Sequence, residues 1–167
     1  MRGMTYLFSA AIVFGAYILI CKVWPFVLYP NYLRKSKIEE YTELRELASR
    51  LKSADKFQAI ENVYAYMQSM YAGHEHVREP RSLLSLLQLG DFSTHKVLNN
   101  RQFLWCHTQN RLLKSILVNT GMFREDEIII ERELWGSIFI HQWVSIELNG
   151  KRIKMDPYYG VFEITQV

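Results

Sequence analysis

Three residues of this chain have types and spacing that could move an acyl group: Cys106, His141 and Asp156. A thiol attacks as its thiolate, and an imidazole can take the proton if a third group steadies the ring. Cys106 stands where a Leu-rich amphipathic pattern begins, so the sequence puts it in the opening turn of a helix from Gln102 to Thr120. The positive end of the helix dipole and the first backbone N–H groups favour a thiolate there. The plain alternative is a buried, inert thiol, the usual fate of a lone cysteine.

Turn chemistry brings the other two residues together. Asn149-Gly150 between β-rich runs is the strongest short hairpin signal in the chain. It pairs Leu148 with Lys151, and counting outward sets Trp143 opposite Asp156 and His141 opposite Tyr158. Paired residues share a face, as do residues two apart on one strand. His141, Trp143 and Asp156 therefore project to one side, with His141 and Asp156 diagonal neighbours at roughly 7–8 Å. A carboxylate in that place can hold an imidazole in one tautomer. His107 is the rival base, but successive helix residues point about 100° apart. Local pattern leaves open whether Cys106 docks on the His–Asp pair.

The elements that must position these groups are helices first and a sheet second. Ser36 and Glu39 have capping-box spacing, and Ile38, Tyr41, Leu44, Leu47 and Leu51 form one amphipathic stripe. Asp55 with Gln58 opens a second helix, striped by Phe57, Ile60, Val63, Tyr64, Met67 and Tyr71 and ended by Gly73. His74-Glu75-His76 has no second cluster at ligand spacing and reads as a solvated loop, not a metal site. Ser82 to Leu89 reads as a short helix closed by Gly90, followed by loop to Asn100. Leu112, Leu113, Ile116 and Leu117 form the buried side of the Cys106 helix, and Gly121 is its C-cap. The period then changes to sheet: Glu127 to Trp135, a turn at Gly136-Ser137, Ile138 to Leu148, Lys151 to Asp156, and a last strand between Tyr158 and Val167. The order predicts an α+β fold with a Cys-bearing helix packed on an antiparallel sheet. The domain covers residues 38–167, helical over 38–121 and sheet over 127–167.

Residues 1–29 pose a different solvent problem. Thr5 to Cys21 contains no Asp, Glu, Lys, Arg or His. A bilayer core about 30 Å thick needs roughly 17–25 such residues in a helix. Trp24, Phe26 and Tyr29 follow like an interfacial belt. A cleaved leader would want small residues after the run, where Cys21-Lys22-Val23-Trp24 stands, and a core helix would show a polar face. The sequence thus predicts a single-pass membrane protein, inserted through residues 5–28, with a basic linker over 30–37. Lys22, Arg34, Lys35 and Lys37 after the span favour a cytoplasmic domain.

The set of motifs resembles the transglutaminase-like superfamily of papain-like thiol enzymes. Its elements are Cys106 opening a Leu-rich helix that ends at Gly121, His141-Gln142-Trp143-Val144 on a strand, and Asn149-Gly150-Lys151 leading to Met155-Asp156-Pro157. The resemblance covers Phe57 to Gly160. It implies Cys106 as nucleophile, His141 as general base and acid, and Asp156 as the orienting carboxylate. It departs from the family at Leu104, where a glycine is frequent, and at Tyr158, where Thr or Ser is frequent. The implied chemistry is acyl transfer on an amide or ester carbonyl, by a protease, amidase or transamidase, with no metal or organic cofactor. The N–H of Cys106 is the first oxyanion donor. Gln102 and Trp105 are candidates for the second. Trp105, Trp135 and Trp143 could wall an acyl cleft or simply pack a core.

Composition bounds the alternatives. The 167 residues are 49% hydrophobic, 14% aromatic and 22% charged, which excludes global disorder. Two cysteines exclude a disulfide framework, and a net charge of +3 is too small to argue for nucleic acid. The expected partner is a protein or peptide substrate. The alternative class is a non-catalytic interaction module at a membrane, taking a partner helix on the Ile38–Leu51 stripe.

Overall fold

Apolar spacing sets the helices and alternation sets the sheet, as the described residues of the computed structural model display. These are residues 6, 9, 11–16, 38–76, 94–98, 102–135 and 139–167. Helix α1 (Thr42–Leu51) and helix α2 (Lys56–Met70) come first. Strands β1 (Tyr71–Ala72) and β2 (Gln102–Phe103) form a short parallel pair. Helix α3 (Cys106–Asn119) follows. An antiparallel sheet ends the chain: β3 (Ile128–Trp135), β4 (Phe139–Leu148), β5 (Lys151–Asp156) and β6 (Val161–Gln166), in that spatial order. The fold is α+β, and each strand of the sheet pairs with its neighbour in sequence.

One core joins the helices to one face of the sheet. Ile60, Val63 and Met67 of α2 and Leu112, Leu113, Ile116 and Leu117 of α3 are all fully buried. Ile128, Val144, Ile146, Ile153 and Met155 meet them from the sheet, at alternate positions along their strands. Asp55 caps α2 as its spacing predicts, accepting from the Gln58 N–H at 2.9 Å.

Several expectations are corrected. α1 begins at Thr42, and Ile38 to Glu40 lie outside any helix. Glu39 does not act as the third residue of a capping box, because Thr94 and Arg111 engage its carboxylate instead. The Ile38–Leu51 stripe is not open to a partner helix: Leu44, Leu47 and Ala48 are buried in the domain's own core. α2 ends at Met70, so Gly73 is not its cap.

Among the described residues, no helix is long and apolar enough to cross a membrane. Most of the expected span over residues 5–28, the 30–37 linker, the Ser82–Leu89 helix and the Gly136-Ser137 turn lie outside the described residues.

Candidate active site

The thiol stands at a helix start that differs from the predicted one. Gln102 and Phe103 are not helical; as β2 they pair with Tyr71 and Ala72. Leu104 continues the ladder, its N–H donating to the Ala72 carbonyl at 3.2 Å. The Gln109 side chain then donates to the Ala72 and Leu104 carbonyls, at 3.1 and 2.9 Å. These bonds turn the chain sharply at Trp105, the N-cap, and make Cys106 the first helical residue. The N–H groups of Thr108 and Gln109 both return to the Trp105 carbonyl at 3.0 Å. The amides of Cys106 and His107 therefore precede the helix's own ladder and point out of its end. Cys106 itself is only 8% exposed.

The imidazole and the carboxylate come from the hairpin. Asn149 and Gly150 take φ values of 53° and 72°, the left-handed pair of a type I′ turn. The register follows the arithmetic from Leu148–Lys151 to Val144–Met155, where the ladder ends one step short of Trp143 and Asp156. His141 Nε2 meets Asp156 Oδ2 in direct contact. The other carboxylate oxygen accepts from the Tyr159 N–H at 3.2 Å. Hydrogen bonding and charge from the Cys106 thiol also act on this imidazole. With Nε2 on the carboxylate, Nδ1 is the ring nitrogen that Asp156 does not engage. Cys106, His141 and Asp156 are thus brought together.

The electrostatics separate the two histidines near the thiol. Burial disfavours the His141 cation, but the hydrogen bonds and charges of Asp156 and Cys106 outweigh it, and the pKa rises to about 9. His107 goes the other way, to about 4, through burial and then the nearby Arg111 charge. The adjacent histidine is held neutral, and the distant one is held ready to carry a proton.

Aromatic rings surround the pair. Tyr159 meets the His141 ring edge-on at 4.6 Å, and Tyr158 lies at 6.3 Å. Trp105 stacks on Tyr158 at 6.4 Å and 20°. Trp143 lies 5.9 Å from His141, with the Lys154 ammonium 4.8 Å above its ring. Trp143 thus lies beside His141, and Trp105 is linked to it through Tyr158. The Trp135 side chain lies outside the described set. Sequence reasoning sets Tyr158 opposite His141 without giving it a role and misses Tyr159, although both follow Asp156-Pro157 directly. Burial pushes both phenols' pKa values up, and the Cys106 charge adds to the rise.

The chain matches no family model, no curated protein and no solved structure. Among the described residues, no group of three or more His, Cys, Asp or Glu side chains is arranged to hold a metal. A cavity of about 560 Å³ lies beside β3, lined by Lys114, Glu125, Asp126, Ile128 and Arg132 among others, and includes none of the three site residues. A thiol, a base that can relay its proton and outward-pointing amides together can form and break a thioester.

Proposed function

We propose that this chain is a thiol acyl-transfer enzyme of the transglutaminase-like type, acting on an amide or ester carbonyl through a Cys106 acyl-enzyme. The observation that carries this reading is one imidazole in direct contact with a buried carboxylate and near enough to a helix-terminal thiol to feel its hydrogen bonding and charge. His141 takes the thiol proton, and the sulfur forms a bond to the carbonyl carbon. The carbonyl electron pair moves to oxygen, where the Cys106 N–H meets it. The C=O re-forms as the C–N or C–O bond breaks, and the imidazolium gives its proton to the departing amine or alcohol. Water or an amine, relieved of a proton by His141, then attacks the thioester and releases the thiolate. Asp156 steadies the imidazolium throughout.

We further place this domain at a membrane, anchored by residues 5–28 with the domain on the cytoplasmic side. Residues 11–16 are helical, and Ile12, Val13 and Phe14 among them are more than half exposed. Alkaline carbonate extraction tests the anchor: the full chain stays with the membrane, and a chain starting at Pro30 is released.

The enzymatic reading is tested by exposing the full chain to a fluorescent iodoacetamide at neutral pH, then to peptide amides and esters with mass readout on the Cys106 peptide. Cys106 should label far faster than Cys21, His141→Ala should slow it, and an acyl adduct should form on Cys106. Equal, slow labelling of both thiols with no adduct overturns the reading. A second reading, a non-catalytic interaction module on the same scaffold, is favoured by the low exposure of Cys106 and its buried neighbours Leu104 and Tyr158. It requires that Cys106→Ala leave cellular function intact.

A further inference from the structure

The turn that carries Asp156 is gripped from behind by the end of α2. Gln68 Nε2 donates to the Pro157 carbonyl at 2.7 Å, and the His74 N–H donates to the Tyr158 carbonyl at 2.8 Å. Gly73 lies so close that a Cβ there would stand 2.1 Å from the Tyr158 carbonyl oxygen and 2.8 Å from its carbon. Both of those atoms are backbone, so no side-chain rotation could relieve the clash. The His74 ring packs on Tyr159 at 4.6 Å, and Tyr159 in turn meets the His141 ring at 4.6 Å. The Tyr159 N–H closes the arrangement on Asp156 Oδ1 at 3.2 Å.

We propose that Gln68 and Gly73 are positioning residues, which set the turn over residues 156–159 so that Asp156 stands behind the His141 ring. This rests on the acyl-transfer reading for its purpose but not for its geometry. The groups facing His141 are Cys106 from α3, Asp156 from β5, Tyr158 and Tyr159 from the turn, Trp143 on its own strand and Glu133 paired across from it on β3. Only Asp156 and the aromatic pair ride on the gripped turn. Loosening the grip at Gln68 withdraws the carboxylate without touching the bonds that place Cys106, whereas Gly73 adjoins Ala72, whose carbonyl holds the chain turn before Cys106.

The experiment follows the His141 ring by NMR titration in the full chain, alongside the pH profile of Cys106 alkylation. Gly73→Ala, Gln68→Leu and Gln68→Lys are compared with Asp55→Ala, which weakens α2 without touching the turn. Gly73→Ala and Gln68→Leu should lower the His141 midpoint by about one unit, the scale of an ion pair moved off. Alkylation at pH 7 should slow several-fold. Gln68→Lys, which restores a donor, should recover most of the midpoint, and Asp55→Ala should leave it in place. If Gly73→Ala does not fold, Gln68→Leu and its Lys rescue carry the test alone. The proposal is overturned if the variants melt earlier, as Asp55→Ala does, with the His141 midpoint unmoved, or if wild-type His141 titrates as an ordinary imidazole. A normal grip with an unreactive Cys106 would instead sink the acyl-transfer reading and leave this inference standing.

Discussion

Two polar clusters in this molecule are built from similar parts and can do different things. At one, the Glu39 carboxylate accepts from the Thr94 N–H at 2.8 Å and the Thr94 hydroxyl at 2.6 Å, and pairs with the Arg111 guanidinium. At the other, Asp156 accepts from the Tyr159 N–H and pairs with the His141 imidazole, on which the Cys106 thiol also acts. Both acids are mostly buried and both are bonded to cation-forming side chains. The guanidinium stays charged throughout the working pH range, so the Glu39 pair cannot pass a proton. It ties the segment before α1 to α3, helped by Asn119, which donates to the Glu39 carbonyl at 3.0 Å. The imidazole can lose its proton, and a nucleophile acts on it. Burial and pairing are common to the two clusters; a transferable proton beside a thiol belongs to one.

Substitutions can break this comparison. The largest effect is expected from Cys106→Ala, which should remove acyl-adduct formation and lower turnover by on the order of 10⁴-fold or more. Arg111→Met should leave the adduct intact. If Arg111→Met abolishes it as fully, the two clusters are not functionally distinct. Asp156→Asn should slow turnover by on the order of 10³-fold, and NMR should show the His141 midpoint falling from about 9 toward the ordinary imidazole range. Glu39→Ala should lower unfolding stability by about 2 kcal/mol in urea titrations, because the Arg111 guanidinium loses its carboxylate in a partly buried place.

A smaller effect separates the clusters by pH. His141 has a raised pKa, so the stability it contributes is fully present below about 6.5, the unfolded imidazole value. That contribution is lost as pH rises through about 9. The urea midpoint of the wild-type chain should fall across that window, and the fall should flatten in His141→Gln but persist in Arg111→Met. Asp55→Ala, outside both clusters, sets the baseline: loss of one helix cap should cost about 1 kcal/mol and leave Cys106 labelling unchanged.

Legibility in the sequence also divides between the two clusters. The His141–Asp156 relation followed from Asn149-Gly150 because a type I′ turn fixes register for several residues on either side. The Glu39–Arg111 relation did not, because its partners are joined only by the packing of distant elements. Glu39 shows the cost of a local rule: its spacing from Ser36 suits a helix cap, yet Thr94 offers two donors and Arg111 a charge. Apolar spacing puts Gln102 in the Cys106 helix, but the parallel ladder with Tyr71 and Ala72 holds it extended. Gly73 was legible only as punctuation. Its role comes from the Tyr158 backbone, which no pattern near residue 73 announces.

By itself the sequence determined the α+β order, the α2 cap, the hairpin register and the shared side of His141 and Asp156. Each of these depends on periodicity or turn geometry acting over a few residues. Tertiary structure alone decided that the Cys106 helix docks with its first turn against that pair. It alone closed the end of α2 onto the Asp156 turn, across an 89-residue separation between Gln68 and Pro157. Such contacts form only when separate elements share one core, and local spacing carries no record of which faces will meet.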